Sequence, residues 1–170
     1  QPMFANLFKT KNSEKLFEKG IEYYRDKKVN RAIDILTDAI KLENKNADPN
    51  KLLLSNIHCL RGEVYLSVGV AVLSQSDFNF ALQHNPENES ALNNLAIWHS
   101  VEKFAVPDYK KALQYFDKAI ALQPDRKDIQ LNRACIKIQS GDKSGCDDLR
   151  RLQSEGFANA KLAIERFCKI

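Results

Sequence analysis

Along YKKALQYFDKAIALQP, residues 109–124, Ala112, Phe116 and Ala119 recur at intervals of four and three, while Lys110, Lys111, Gln114, Asp117 and Lys118 fall mostly elsewhere. That rhythm matches 3.6 residues per turn and predicts an amphipathic helix, which Pro124 ends. Its buried stripe reads small-large-small, a shape suited to close approach between helices. The spacing returns as Ser74, Phe78, Ala81 and Pro86 in SQSDFNFALQHNP, and as Ala32, Leu36 and Ala39 in RAIDILTDAIKLEN, where Asn44 stands in for the proline. Upstream of each stripe lies another helical pattern with a small residue at a fixed place: Gly20, Gly62, Ala96 and Ala134. Strand-like alternation is scarce. The chain reads as all-α, built from helix pairs whose backbones meet at small side chains.

The pattern resembles the tetratricopeptide repeat, a helix-turn-helix unit of about 34 residues with small residues at three packing positions and a late proline. The resemblance covers residues 13 to about 156. It implies one domain, residues 1–170, folded as a right-handed α-solenoid: an N-terminal segment at 1–12, repeats at 13–46, 55–88, 89–126 and 127–157, and a capping helix at 158–170. Gly62 and Ala96 are 34 residues apart, whereas Gly20 and Gly62 are 42 apart and Ala96 and Ala134 are 38 apart, so two copies carry extra residues. One insertion, 47–54, is expected to extend the next helix, with Asp48 opening it and Pro49 in its first turn. The other lengthens the turn SVEKFAVPDY of the third copy. In the fourth copy Gly145, Leu149 and Leu152 take the packing positions, and Ala160, Leu162, Ala163, Phe167 and Ile170 form the stripe of the cap. Two further expectations concern apolar segments: VAVL, 70–73, should be covered by KFAVP, 103–107, and Phe4, Leu7 and Phe8 should dock on the first hairpin.

By the same resemblance, positions two, five, nine and twelve of each first helix face a concave groove. They are Glu14, Phe17, Ile21 and Tyr24; Asn56, Cys59, Glu63 and Leu66; Ser90, Asn93, Ile97 and Ser100; and Asp128, Leu131, Cys135 and Ile138. An apolar surface flanked by polar positions marks a binding site. The resulting expectation is a non-catalytic interaction module that holds a peptide or helix of a partner protein. The alternative is a structural subunit that acts mainly by self-association. Family members that grip the terminal carboxylate of chaperone tails use Lys, Asn and Arg at groove positions, which here hold Phe17, Ile21, Asn93 and Leu131; that ligand is not expected.

Composition removes other classes. Lys plus Arg number 26 against 22 Asp plus Glu, and the pI of about 8.8 falls short of the strongly basic signature of nucleic-acid binding. The run VAVL is far too short to span a bilayer, so neither nucleic acid nor membrane insertion is expected. His58, His84 and His99 stand far apart in the repeat frame without metal-ligand spacing, and no nucleophile elbow, phosphate loop or dinucleotide fingerprint occurs. Catalysis, a metal and a cofactor are therefore not expected. Cys59 and Cys135 fall on the groove positions as small hydrophobes. Cys146 and Cys168 stand about eleven residues to either side of the reversal near Gly156, so two helical arms of equal length bring them opposite each other. An oxidising compartment would join them and a reducing one would leave two buried thiols. The surrounding GC…DL and FC endings resemble those of exported tetratricopeptide proteins of Bacteroidetes-type bacteria. No charged-then-apolar leader pattern occurs in these residues, and the sequence favours neither an exported nor a cytoplasmic location.

Overall fold

The computed structural model describes the backbone of residues 2–102 and 104–168, and side chains from residue 12 onward. The described residues form nine helices and no strand: α1 (Pro2–Arg25), α2 (Val29–Glu43), α3 (Lys51–Ser67), α4 (Ala71–His84), α5 (Glu89–Ser100), α6 (Tyr109–Leu122), α7 (Lys127–Gln139), α8 (Ser144–Ser154) and α9 (Asn159–Phe167). They gather into two compact units, residues 1–91 and 92–170, with the boundary inside α5.

In the first unit α1 packs on α2, α2 on α3, and α3 on α4. Ala32, Leu36 and Ala39 are wholly buried and share a core with Leu53, Leu54, Ile57 and Val64. The small residues of the first helices receive the large residues of the second. A Cβ on Gly20 would stand 2.5 Å from Leu36 Cδ2, and one on Gly62 would stand 2.7 Å from Phe78 Cε1. Full burial of a ring such as Phe78 stabilises by roughly 1.5–3 kcal/mol, and only a residue without a side chain leaves room for it there.

The second unit repeats the rule. Ala112, Phe116 and Ala119 of α6 are wholly buried, as are Ile129 and Ala134 of α7. Gly145 lies against α7 so closely that a Cβ on it would sit 2.4 Å from the Ala134 carbonyl oxygen. Ala160 and Ala163 of α9 are buried in turn, and α9 packs on α8 and α7.

One turn recurs. α1, α3, α7 and α8 are each followed by a residue with positive φ: Lys27 at 59°, Gly69 at 79°, Gly141 at 93° and Gly156 at 83°. In each case the next amide reaches back five residues to a helix carbonyl, Lys28 to Tyr23, Val70 to Tyr65, Asp142 to Lys137 and Phe157 to Leu152, at 2.8–3.0 Å. These bonds occupy helix carbonyls that would otherwise lack donors, and the left-handed residue turns the chain back on itself. The third repeat departs from this pattern. Its longer turn ends where the Asp108 amide bonds the His99 carbonyl at 2.8 Å and the Asp108 side chain caps α6 by accepting from the Lys111 amide at 2.9 Å.

Several expectations are corrected. The helix of the second repeat does not begin at Asp48: Asn50 is its cap, accepting from the Leu53 amide at 3.0 Å, and the helix starts at Lys51. The Asn50 amide itself donates to Glu43 Oε1 at 2.7 Å, so its loop is tied to the end of α2. Leu162 is 67% exposed and does not join the stripe of α9. Ile164 takes its place, because 160, 163, 164 and 167 share one helix face while 162 points away. Val70 and Val72 are exposed, the latter by 76%, so VAVL is not a covered cluster. The side chains of Phe4, Leu7, Phe8 and Ile170 lie outside the described residues.

Candidate binding face and the polar network behind it

In the first unit the chain brings four of the eight groove residues of the first two repeats to one place. Phe17 of α1, with Asn56, Cys59, Leu60 and Glu63 of α3 and the pair Asn88 and Ser90, lines an open depression of about 180 Å³. Phe17 and Tyr24 are half-buried against the core, which fixes α1 beside α3. Asn88 holds the far rim. Its amide group donates to Ser55 Oγ at 2.8 Å and lies 3.4 Å from Asn56 Oδ1, while its oxygen accepts from the Ala91 amide at 3.0 Å. Glu63 Oε1 lies 3.9 Å from the Cys59 sulfur, a reach that suits a weak thiol donor. Ile21 and Leu66 are half-buried, and Glu14 is exposed one turn before Phe17.

The second unit treats its groove residues differently. Asn93 and Ile97 are half-buried, and the Asn93 side-chain oxygen is shielded from water without a hydrogen-bond partner. Ser100 is buried and returns its hydroxyl to the Ile97 carbonyl at 2.8 Å. Asp128 is exposed and gripped by Arg126 Nε and Nη2 at 2.8 and 2.7 Å, hydrogen bonds that lower its pKa. Leu131, Cys135 and Ile138 pack on Ala134, Leu149 and Ala163 together with Ile164, Phe167 and Cys168. Helix α9 therefore shares their core. Burial pushes the Cys135 thiol pKa up, partly offset by Arg166. The sulfurs of Cys146 and Cys168 are 2.11 Å apart, with their Cα atoms at 5.8 Å.

Behind the depression lies a network that periodicity did not reveal. Asp77 of α4 is buried, and its carboxylate accepts from Arg61 Nε and Nη2 and from His58 Nδ1, each at 2.8 Å. Arg61 Nη1 also donates to Thr37 of α2 at 2.9 Å, so one guanidinium links both repeats of the unit. Burial opposes ionisation of Asp77, but the bonds from Arg61 and His58 overcome it and hold its pKa below the usual carboxylate value. The histidines are not all apart: the His58 and His84 rings stack at 5.6 Å, because the end of α4 returns beside the start of α3. Among the described residues no group of three or more His, Cys, Asp and Glu could hold a metal, and no helix is long and apolar enough to cross a membrane.

The pH dependence follows. Burial first, then the His58 ring and Lys51, lower the His84 pKa below 6.5; burial and Lys111 lower that of His99. Both groups bind protons less readily folded than unfolded, so their contribution is full above about pH 6.5 and is lost as pH falls through the depressed values. Asp77 likewise stabilises above about pH 3.9 and loses that contribution as pH falls toward its lower folded pKa. The melting temperature should fall from pH 7 to 5.5, less so in His84→Gln, and fall again below pH 4. A rise between pH 7 and 5.5 would contradict this.

Paired helices meeting at Gly20, Gly62, Ala134 and Gly145, with recurrent left-handed turns, decide the architecture. The fold is that of the tetratricopeptide repeat. A tetratricopeptide repeat protein from Parabacteroides merdae superposes with a TM-score of 0.72 at 19% identity, over 90% of this chain and 57% of that one. The first TPR of Spaghetti (RPAP3), bound to the HSP90 peptide SRMEEVD, superposes with a TM-score of 0.65 at 19% identity, over 78% of this chain and 95% of that one. In sequence the chain is similar to the uncharacterized protein ycf37 of Pyropia yezoensis, at 27% identity over 66% of this chain and 74% of that protein. It is also 28% identical to the translocon at the outer membrane of chloroplasts 64 of Pisum sativum, over 70% of this chain but only 18% of that protein. No family model matches the chain.

Proposed function

We propose that this tetratricopeptide chain is a non-catalytic protein-interaction module, holding a peptide or helix of a partner on the exposed sides of its first helices. The observation that carries the reading is the α1–α3 face, where half-buried Phe17 and Leu60 stand beside Asn56, Glu63 and Ser90 around an open depression. Apolar surface for burial, with a few placed polar groups for orientation, is the composition of a recognition site. A domain of this architecture, the first TPR of Spaghetti (RPAP3), is bound to an HSP90 peptide, which supports the reading. An acidic tail like SRMEEVD is not the ligand we propose here, since Phe17, Ile21, Asn93 and Leu131 supply no cation to its carboxylates.

Site-specific photo-crosslinking in native extract tests the assignment. A benzophenone side chain at Asn56 or Glu14 should capture one partner, and the same group at Asp38 or Lys118 on the second helices should not. Capture only from the second helices would overturn it.

We also propose that Cys146 and Cys168 form a structural disulfide in an oxidising compartment. Closing a loop across 22 residues is worth roughly 3 kcal/mol in the chain-entropy model, and it would pin the end of α9 to the start of α8. Thiol counting on unfolded, unreduced native protein should find two free thiols, Cys59 and Cys135, and reduction should lower the melting temperature. Four free thiols in native protein would refute the pairing.

A further inference from the structure

The second unit holds a cavity whose walls differ in kind. Ile138 of α7, Phe167 at the end of α9, and Cys146 and Cys168 give it an apolar, half-buried floor. Lys143, Asp147 and Arg150, all exposed, give it a charged rim. Its volume of about 500 Å³ falls within the range of small-molecule sites, roughly 300–1,000 Å³. The floor is held from two sides. Ile138, Phe167 and Cys168 pack on Ala134, Leu149 and Ala163, and the bond between Cys146 and Cys168 ties the first turn of α8 to the end of α9. A ligand would enter a site already formed, which spares it the cost of ordering the walls.

Each class of small ligand can be weighed against these walls. A cation would meet Lys143 and Arg150 with like charge. A neutral hydrocarbon would bury the floor and gain nothing at the rim, whereas a small polar anion would find the two cations and gain nothing from Ile138 and Phe167. An apolar body carrying an anionic head uses both surfaces. The rim also favours one kind of head. Arg150 donates from Nη1 to Asp147 Oδ1 at 2.8 Å, so a carboxylate already fits this guanidinium, and the rest of its planar fork can serve a further acceptor. A doubly charged phosphate would meet Asp147 with about twice the repulsion that a carboxylate meets.

We infer that this cavity binds a small amphipathic carboxylate, an alkyl chain or aromatic ring bearing one carboxylate, with its body on Ile138 and Phe167 and its head between Lys143 and Arg150. This is a second binding site, and it does not depend on the partner-binding face proposed above.

The test is a titration of the unreduced, isotope-labelled full chain with octanoate, phenylpropionate, octanol and acetate, read from amide chemical shifts. Octanoate or phenylpropionate should move the amides of Gly141, Lys143, Cys146 and Phe167 along saturating curves. Octanol should bind at least about tenfold more weakly than octanoate, and acetate should not saturate. Because these comparisons change only the ligand, they do not depend on how any variant folds. Lys143→Gln/Arg150→Gln should weaken octanoate about tenfold and leave octanol nearly unchanged. The inference is overturned if neither carboxylate gives a saturable shift, if the shifts centre elsewhere, if octanol binds as tightly as octanoate, or if the double variant holds octanoate as well as the wild type does.

Discussion

Asp77→Ala should lower the unfolding free energy by about 3–5 kcal/mol, the usual cost of stripping one partner from a buried ion pair. Arg61 would lose both bonds to the carboxylate and His58 would lose its Nδ1 partner, all at 2.8 Å, while the remaining bond from Arg61 to Thr37 cannot balance the charge. Against a typical domain stability of about 5–15 kcal/mol, that is at least about a fifth of the total. Urea unfolding followed by circular dichroism measures it directly. The mechanism makes a second demand: replacing Asp77, Arg61 and His58 together by apolar residues of similar volume should recover much of the loss, because the penalty comes from uncompensated charge. If Asp77→Ala unfolds at the wild-type urea midpoint, the network is not holding α3 to α4.

Gly62→Leu should cost several kcal/mol through a different cause. The first added carbon would already lie 2.7–3.2 Å from three atoms of the wholly buried Phe78 ring, and three more carbons would follow. Overpacking in ordinary cores costs about 1–3 kcal/mol, and here the ring that must give way is wholly buried. Phe78→Ala should be destabilising on its own, yet the Gly62→Leu/Phe78→Ala double variant should be more stable than the sum of the two losses predicts. An unchanged melting temperature in Gly62→Leu would place the α3–α4 contact elsewhere.

The two variants mark what the sequence shows and what it hides. Gly62, Phe78, Ala112 and Phe116 are legible because helix contact is periodic: a small residue must recur where backbones meet, and a large one must fill the gap beside it. Asp77 and Glu43 are hidden by the same periodicity. Asp77 sits three residues after Ser74 and Glu43 seven after Leu36, both on buried stripes, and a charge there breaks the apolar pattern instead of completing it. The signal was present as a carboxylate at a core register position. What it lacked was its partners, since Ser13 bonds Glu43 across 30 residues and Arg61 meets Asp77 from another helix. Asn50 is not legible as the cap of α3 for a local reason: Asp48 offers the same capping chemistry, and the tie between the Asn50 amide and Glu43 favours Asn50. For the groove, the register of Phe17, Cys59 and Glu63 was readable. That Leu131, Cys135 and Ile138 share a core with α9 depends on the path of the chain after Gly156.

The central claim, that partners bind on the first helices, is tested most directly by hydrogen exchange of the full chain with and without the tightest-binding peptide selected on it from a random displayed library. The account predicts added protection in α1 and α3, centred on residues 14–24 and 56–66, with α2 and α4 unchanged. Protection confined to α2 and α4, or none at saturating peptide, would contradict it.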